Sequence, residues 1–119
     1  MLNKTNVFIL LLANTLALSS FPAMAKTYAG TINGTVSDSM CQFDHAAMIK
    51  SGHGANAAAC TQKCIKDGSK FVLCDPKTKI VYNLSDSAKV KKYAGKSVAI
   101  TGHIDTDTKS IHVHSVKPQ

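Results

Sequence analysis

A mostly β domain with short helices is the fold class that the sequence predicts. Three observations carry it. Five short segments rich in β-branched residues recur between residues 31 and 116. One amphipathic helical pattern falls between the third and fourth of them. A stretch with two helix-start signals, residues 40–67, separates the first from the second and carries Cys41, Cys60 and Cys64.

The elements follow in order. Lys26 to Gly30 reads as a short leader, and Thr31 to Val36 as the first strand. Ser39, with Gln42 three residues on, forms a capping-box pattern, so a helix is expected from Met40 to about Lys50, burying Phe43 and Ala47. Gly52 and Gly54 stop it, and Asn56 caps a second helix that runs through Lys66 and ends at Asp67-Gly68. Phe71 to Cys74 and Ile80 to Leu84 are two strands joined by the Pro76 turn. Ser85 or Asp86 starts a third helix with Val90, Tyr93 and Ala94 on its apolar side and Lys89, Lys91 and Lys92 opposite; Gly95 ends it. Val98 to Asp105 and Ser110 to Val116 close the chain as a hairpin. Five strands with a helix between the third and fourth is the order of the OB fold. The expectation is therefore an OB-like five-stranded barrel with a two-helix insertion between strands 1 and 2.

Residues 1–25 read as an export signal. Lys4 is the basic start, Val7 to Leu18 the apolar run, and Ala23-Met24-Ala25 the small-x-small cleavage site. The apolar run of twelve residues would span about 18 Å as a helix, too short for a hydrocarbon core of ~30 Å. Removing 25 of the 119 residues leaves 94, a single OB-like domain over 26–119 that is expected to be periplasmic or secreted and not membrane-spanning. Every cation is Lys and every anion Asp; one of fourteen Lys lies in the signal, so thirteen face seven Asp, a net +6. The absence of Arg removes the usual bidentate clamp for phosphate and carboxylate.

Four segments resemble a group of small, uncharacterised secreted bacterial proteins: Gly34-Thr35-Val36-Ser37-Asp38-Ser39-Met40-Cys41 with His45, Cys60-x-x-x-Cys64, Lys66-x-Gly68-x-Lys70, and Tyr93-Ala94-Gly95-Lys96-x-Val98-x-Ile100-Thr101-Gly102. The resemblance covers nearly all of residues 26–119 and implies export and an OB-like core with a Cys-containing insertion. It implies no activity.

Two chemistries compete for the cysteines. In an oxidising compartment four Cys read as two disulfides. Cys60 and Cys64 lie one turn apart on the expected second helix, where Cβ atoms are about 5–6 Å apart, too far for a bridge. That leaves Cys41 and Cys74 each paired with one of them, and the return of the chain after Gly68 favours Cys41–Cys64 with Cys60–Cys74. Alternatively, Cys41-x-x-x-His45 and Cys60-x-x-x-Cys64 place two ligands each on one helical face, a Cys3His set suited to tetrahedral Zn.

A second ligand set lies on the last hairpin. His112 and His114 share one face of a strand, with Ile111 and Val113 directed inward. If Asp105 faces Ser110, His103 faces His112 and Thr101 faces His114. Three imidazoles on one face suit Cu, Ni or Zn. His53, between two glycines, has no evident partner.

Other functions find little support. Nucleic-acid binding on a barrel needs exposed aromatics over a basic groove, and of Tyr28, Phe43, Phe71, Tyr82 and Tyr93 only Tyr28 is clearly free of the core. No nucleophile–base–orienter motif and no Glu is present; Asp38, Asp44 and His45 could form an acid–base group, but Asp38 and Asp44 are better explained as helix-start residues. No Cys-x-x-Cys redox motif occurs. The reading from sequence is an exported, non-catalytic binding or stress-associated domain stabilised by disulfides, with no cofactor required, acting on an unknown small ligand or periplasmic protein. The alternative is a metal-binding protein that uses one of the two ligand sets.

Overall fold

The computed structural model describes residues 17–20 and 26–119. Lys4, most of the apolar run and Ala23-Met24-Ala25, the residues on which the export signal rests, lie outside the described residues. Among the described residues, no helix is long and apolar enough to cross a membrane.

Five strands close into a barrel: β1 (Thr27–Asp38), β2 (Phe71–Cys74), β3 (Val81–Leu84), β4 (Ser97–Asp105) and β5 (Ser110–Pro118). The order around it is β1-β2-β3-β5-β4, and closure is made by β1 pairing with both β2 and β4. All neighbours are antiparallel except β3 and β5, which run parallel where Asn83 meets Ser110 and Leu84 meets Ile111. Three short helices accompany the barrel: α1 (Ala46–Lys50), α2 (Ala57–Lys66) and α3 (Ser87–Val90), the last continued by a 3-10 turn over Lys91–Tyr93.

Alternation explains the core. Val98, Ile100 and Ile104 of β4 and Ile111 and Val113 of β5 are buried, while Thr101, His103, His112 and His114 between them are exposed. Side chains on a strand point to alternate faces, so each strand buries one residue in two. Val36, Leu73, Phe71 and Tyr82 complete the interior, and Val90 and Ala94 close onto it from the α3 segment. Burying an Ile or Leu side chain of this kind stabilises by about 1.5–3 kcal/mol.

The alternation fails at one place. Val36, Ser37 and Asp38 are buried in succession, as are all four residues of β2. Ser37 faces Val72 and Thr35 faces Cys74 across the ladder, so these pairs lie on the face opposite to the Val36–Leu73 pair. Both faces of the sheet are covered here, and α2 packs against β1.

The structure corrects several expectations. The segment expected as a leader belongs to β1, with Thr27 through Gly30 paired to β4 from Asp105 to Gly102. The first insertion helix starts at Ala46 rather than Met40. Its capping box does not form: the Ser39 hydroxyl accepts from the Lys70 amide, and Gln42 takes a left-handed backbone with φ 54°. Phe43 is exposed beneath Lys79, not buried, and Ala47 is exposed too. The second helix matches its expected bounds, with the Asn56 side chain accepting from the Ala59 amide at 2.9 Å. The third is shorter than expected; Asp86 precedes it in a left-handed conformation and makes no side-chain cap.

Candidate metal centre

Three segments meet beside the covered face of β1 and β2. The end of β1 supplies Ser37 and Asp38, the turn after it supplies Cys41 and His45, and α2 supplies Cys60, Thr61 and Cys64. The last three are the buried residues of α2, at the i, i+1, i+4 spacing that defines one helical stripe.

Asp38 organises the turn. Its side chain is fully buried, and its Oδ1 accepts the amides of Met40 at 3.0 Å and Cys41 at 2.9 Å. A carboxylate that takes two successive N–H groups forms an Asx-type turn and competes with helix formation. That is why residues 39–43 turn rather than start a helix. Asp38, read from sequence as a helix-start residue, is instead part of the site. Asp44 does serve near a helix start, with Oδ1 accepting from the Ala46 amide at 2.8 Å.

His45 Nε2 lies 3.1 Å from Asp38 Oδ2, 3.2 Å from Ser37 Oγ and 3.1 Å from Thr61 Oγ1. The Ser37 hydroxyl donates its proton to the Gln42 carbonyl at 2.7 Å, so it has only lone pairs to offer the ring. The carboxylate is an acceptor as well. This network assigns the ring proton to Nε2, which leaves the lone pair of the neutral imidazole on Nδ1.

The sulfurs gather around Cys41. Cys41, His45 and Cys60 bring one ligand atom each within 4.8 Å of one another, and Asp38, Cys41 and Cys64 do the same. Cys41 belongs to both groups, so it sits between the two thiols of α2. Cys60 and Cys64 are buried and Cys41 half-buried. Cys74 belongs to neither group.

All four cysteines are free thiols in this structure, so neither Cys41–Cys64 nor Cys60–Cys74 is formed. Loss of water pushes the Cys41, Cys60 and Cys64 thiols above their ordinary range. The Asp38 charge pushes Cys41 and Cys64 further, and the neighbouring Cys64 does so for Cys60. Cys74 is pushed up to about 11, chiefly by burial and next by Asp38. Neutral thiols beside a buried carboxylate are poor nucleophiles.

Thiols and an imidazole are the donor types that tetrahedral sites use. Zn–S bonds of about 2.3 Å imply S···S edges of about 3.8 Å; the donors lie within 4.8 Å of one another inside each of the two groups, and no single group holds both Cys60 and Cys64. Asp38, hydrogen-bonded to His45, stands where a carboxylate orients many metal-bound imidazoles, and it is also a member of the second donor group.

The sequence marks Cys41, His45, Cys60 and Cys64 as one possible ligand set and Asp38 only as a possible acid–base partner of His45; it singles out neither Ser37 nor Thr61. The one available signal was the Asp-Ser-x-Cys run, in which a carboxylate three residues ahead of a Cys can bond its amide. Of the second expected set, His103 and His114 come into contact, while the three imidazoles do not form a group with one ligand atom each within 4.8 Å. His103 pairs with His112 across the β4–β5 hairpin, and His103 Nδ1 lies 3.1 Å from His114 Nε2. Thr101, however, faces Ser115 rather than His114, because the register shifts between Thr101 and Gly102. His53 is not without a partner: its Nε2 stands 3.6 Å from Asp67 Oδ2.

No protein-family model matches the chain, and no curated protein or solved structure is similar to it at a significant level.

Proposed function

We propose that the protein is an exported, non-catalytic OB-type domain whose insertion holds Zn(II) through Cys41, Cys60, Cys64 and His45. The observation that carries this is the convergence of the Cys41 sulfur with two further thiols and an imidazole oriented by a buried carboxylate. The strand order and the helix between β3 and β4 support the OB type. The leader pattern and the resemblance to small secreted bacterial proteins support export. Zinc here would serve structure: four protein ligands leave no open position for substrate. Each thiol must lose its proton on loading, so affinity rises with pH.

The test is native mass spectrometry of protein purified from the periplasm without chelator, with thiol counting on the same sample. One Zn per chain, lost on Cys60→Ser or Cys64→Ser, is expected. Asp38→Asn should weaken binding about 10–100-fold while leaving the ligands in place. Metal-free protein with blocked thiols overturns the reading.

A second reading has its own observation. Because Cys41 adjoins both Cys60 and Cys64, oxidation by a small-molecule disulfide would join Cys41 to one of them. Two thiols then lose two protons and two electrons to the oxidant, which is reduced to two thiols. Peptide mapping without reduction separates this outcome from metal binding.

A further inference from the structure

We infer a second metal site on the outer face of the β4–β5 hairpin, formed by the His103–His114 pair with His112 alongside it, and suited to Cu(II) or Ni(II). It is independent of the thiol centre.

Strand alternation puts the three imidazoles on one face, and a register shift sets how closely they approach. The register shift between Thr101 and Gly102 makes His114 an extra residue, opposite neither Thr101 nor Gly102. A bulge of this kind bends the strand and re-aims a side chain. Here it brings the His114 ring to 4.8 Å from the His103 ring, between centroids, and to 5.6 Å from His112. Gly102 makes the close approach possible, since a Cβ at that position would run into the His112 backbone carbonyl.

The bite has the right width. His103 Nδ1 and His114 Nε2, 3.1 Å apart, would subtend about 98° at an ion with bonds of 2.0–2.1 Å. That lies between the cis angle of a square-planar ion and the tetrahedral angle. The proton shared in this contact occupies the place that a metal would take. His112 is oriented by Ser85, whose Oγ lies 3.1 Å from His112 Nδ1 and accepts from the Val113 amide at 3.2 Å. A hydrogen-bonded second nitrogen is the usual support of a ligand histidine. The nearest cation on the adjoining helix, Lys89, is held by the Val113 carbonyl at 3.2 Å and by Asp86 at 3.1 Å. All-nitrogen sites of this kind favour Cu(II), then Ni(II), over earlier divalent ions.

Ni(II) is the probe, because Cu(II) is reduced by thiols. The full chain is titrated with Ni(II) while the ring signals of all five histidines are followed by NMR. His103, His112 and His114 should broaden first, at micromolar Ni(II), with His45 and His53 sharp. His103→Ala and His114→Ala should each weaken binding tenfold or more, His112→Ala less, and His53→Ala not at all. His103, His112 and His114 are exposed and His53 is half-buried, so the amide spectrum should confirm an intact fold in each variant. Broadening that begins at His45 assigns the metal to the thiol centre and overturns the inference. So does binding that survives replacement of both His103 and His114, or that needs millimolar Ni(II).

Discussion

Cys41, Cys60 and Cys64 reach one another from a turn and a helix braced against a strand end, in the covered part of the molecule. His103, His112 and His114 sit on two adjacent strands, in solvent, within twelve positions of sequence. The first cluster exists only if the insertion folds back on β1, and its geometry depends on one buried carboxylate. The second follows from hairpin register and one bulge. A buried cluster is therefore tied to stability, whereas an exposed one is tied only to the core residues that alternate with it.

The largest expected effect tests that last dependence. Ile111→Ala should cost about 2–5 kcal/mol, since the side chain is fully buried in the barrel. Urea unfolding measures it, and a loss below 1 kcal/mol would contradict the facing of β5. Asp38→Ala comes next, at about 3 kcal/mol, because it empties a buried site that two backbone amides and the His45 ring hydrogen-bond to. A neutral result would mean that the turn holds without its carboxylate.

The thiols make the covered region sensitive to alkali. A folded thiol whose pKa is raised contributes stability that is complete below the unfolded value, near 8.5, and is lost as pH rises through the folded value. For Cys74, pushed up to about 11, the window runs from about pH 8.5 to pH 11, with a loss on the order of 3 kcal/mol. Unfolding midpoints of the metal-free protein across that window should fall, and should fall less in Cys74→Ala. Equal slopes in the two proteins would remove Cys74 as the cause. The smallest effect belongs to the exposed face: His112→Ala should change stability by less than about 0.5 kcal/mol. A loss comparable with that of Ile111→Ala would erase the contrast between the two sides of β5.

Much of the barrel was legible because its strands alternate. Ile111 and Val113 inward with His112 and His114 outward needed only the two-residue period and a turn at Thr106 to Lys109. The bulge was not legible, because nothing in Thr101-Gly102 distinguishes a shifted register from an even one. In the insertion, Asn56 marked its helix correctly because its side chain had no competing partner. Ser39 misled because its hydroxyl is taken by Lys70, thirty-one residues away, a contact that no local pattern announces. Cys41 and His45 were paired correctly for a helix that does not exist there; the Asp38 turn delivers them instead. The strand length was underestimated because Thr27 to Gly30 has little apolar pattern, and its pairing comes from β4.

That pairing has a temporal consequence. Thr27 opens the described barrel, yet its ladder partner is Asp105, 78 positions later. At about 5–20 residues per second of synthesis, the first strand waits roughly 4–16 s before β4 is made. Until then β1 can pair only with the short β2, and the interior cannot be sealed. Long-range closure of this kind slows folding. A chain that stays open until it is nearly complete is one that can still be threaded, unfolded, through a narrow pore, as the proposed export requires.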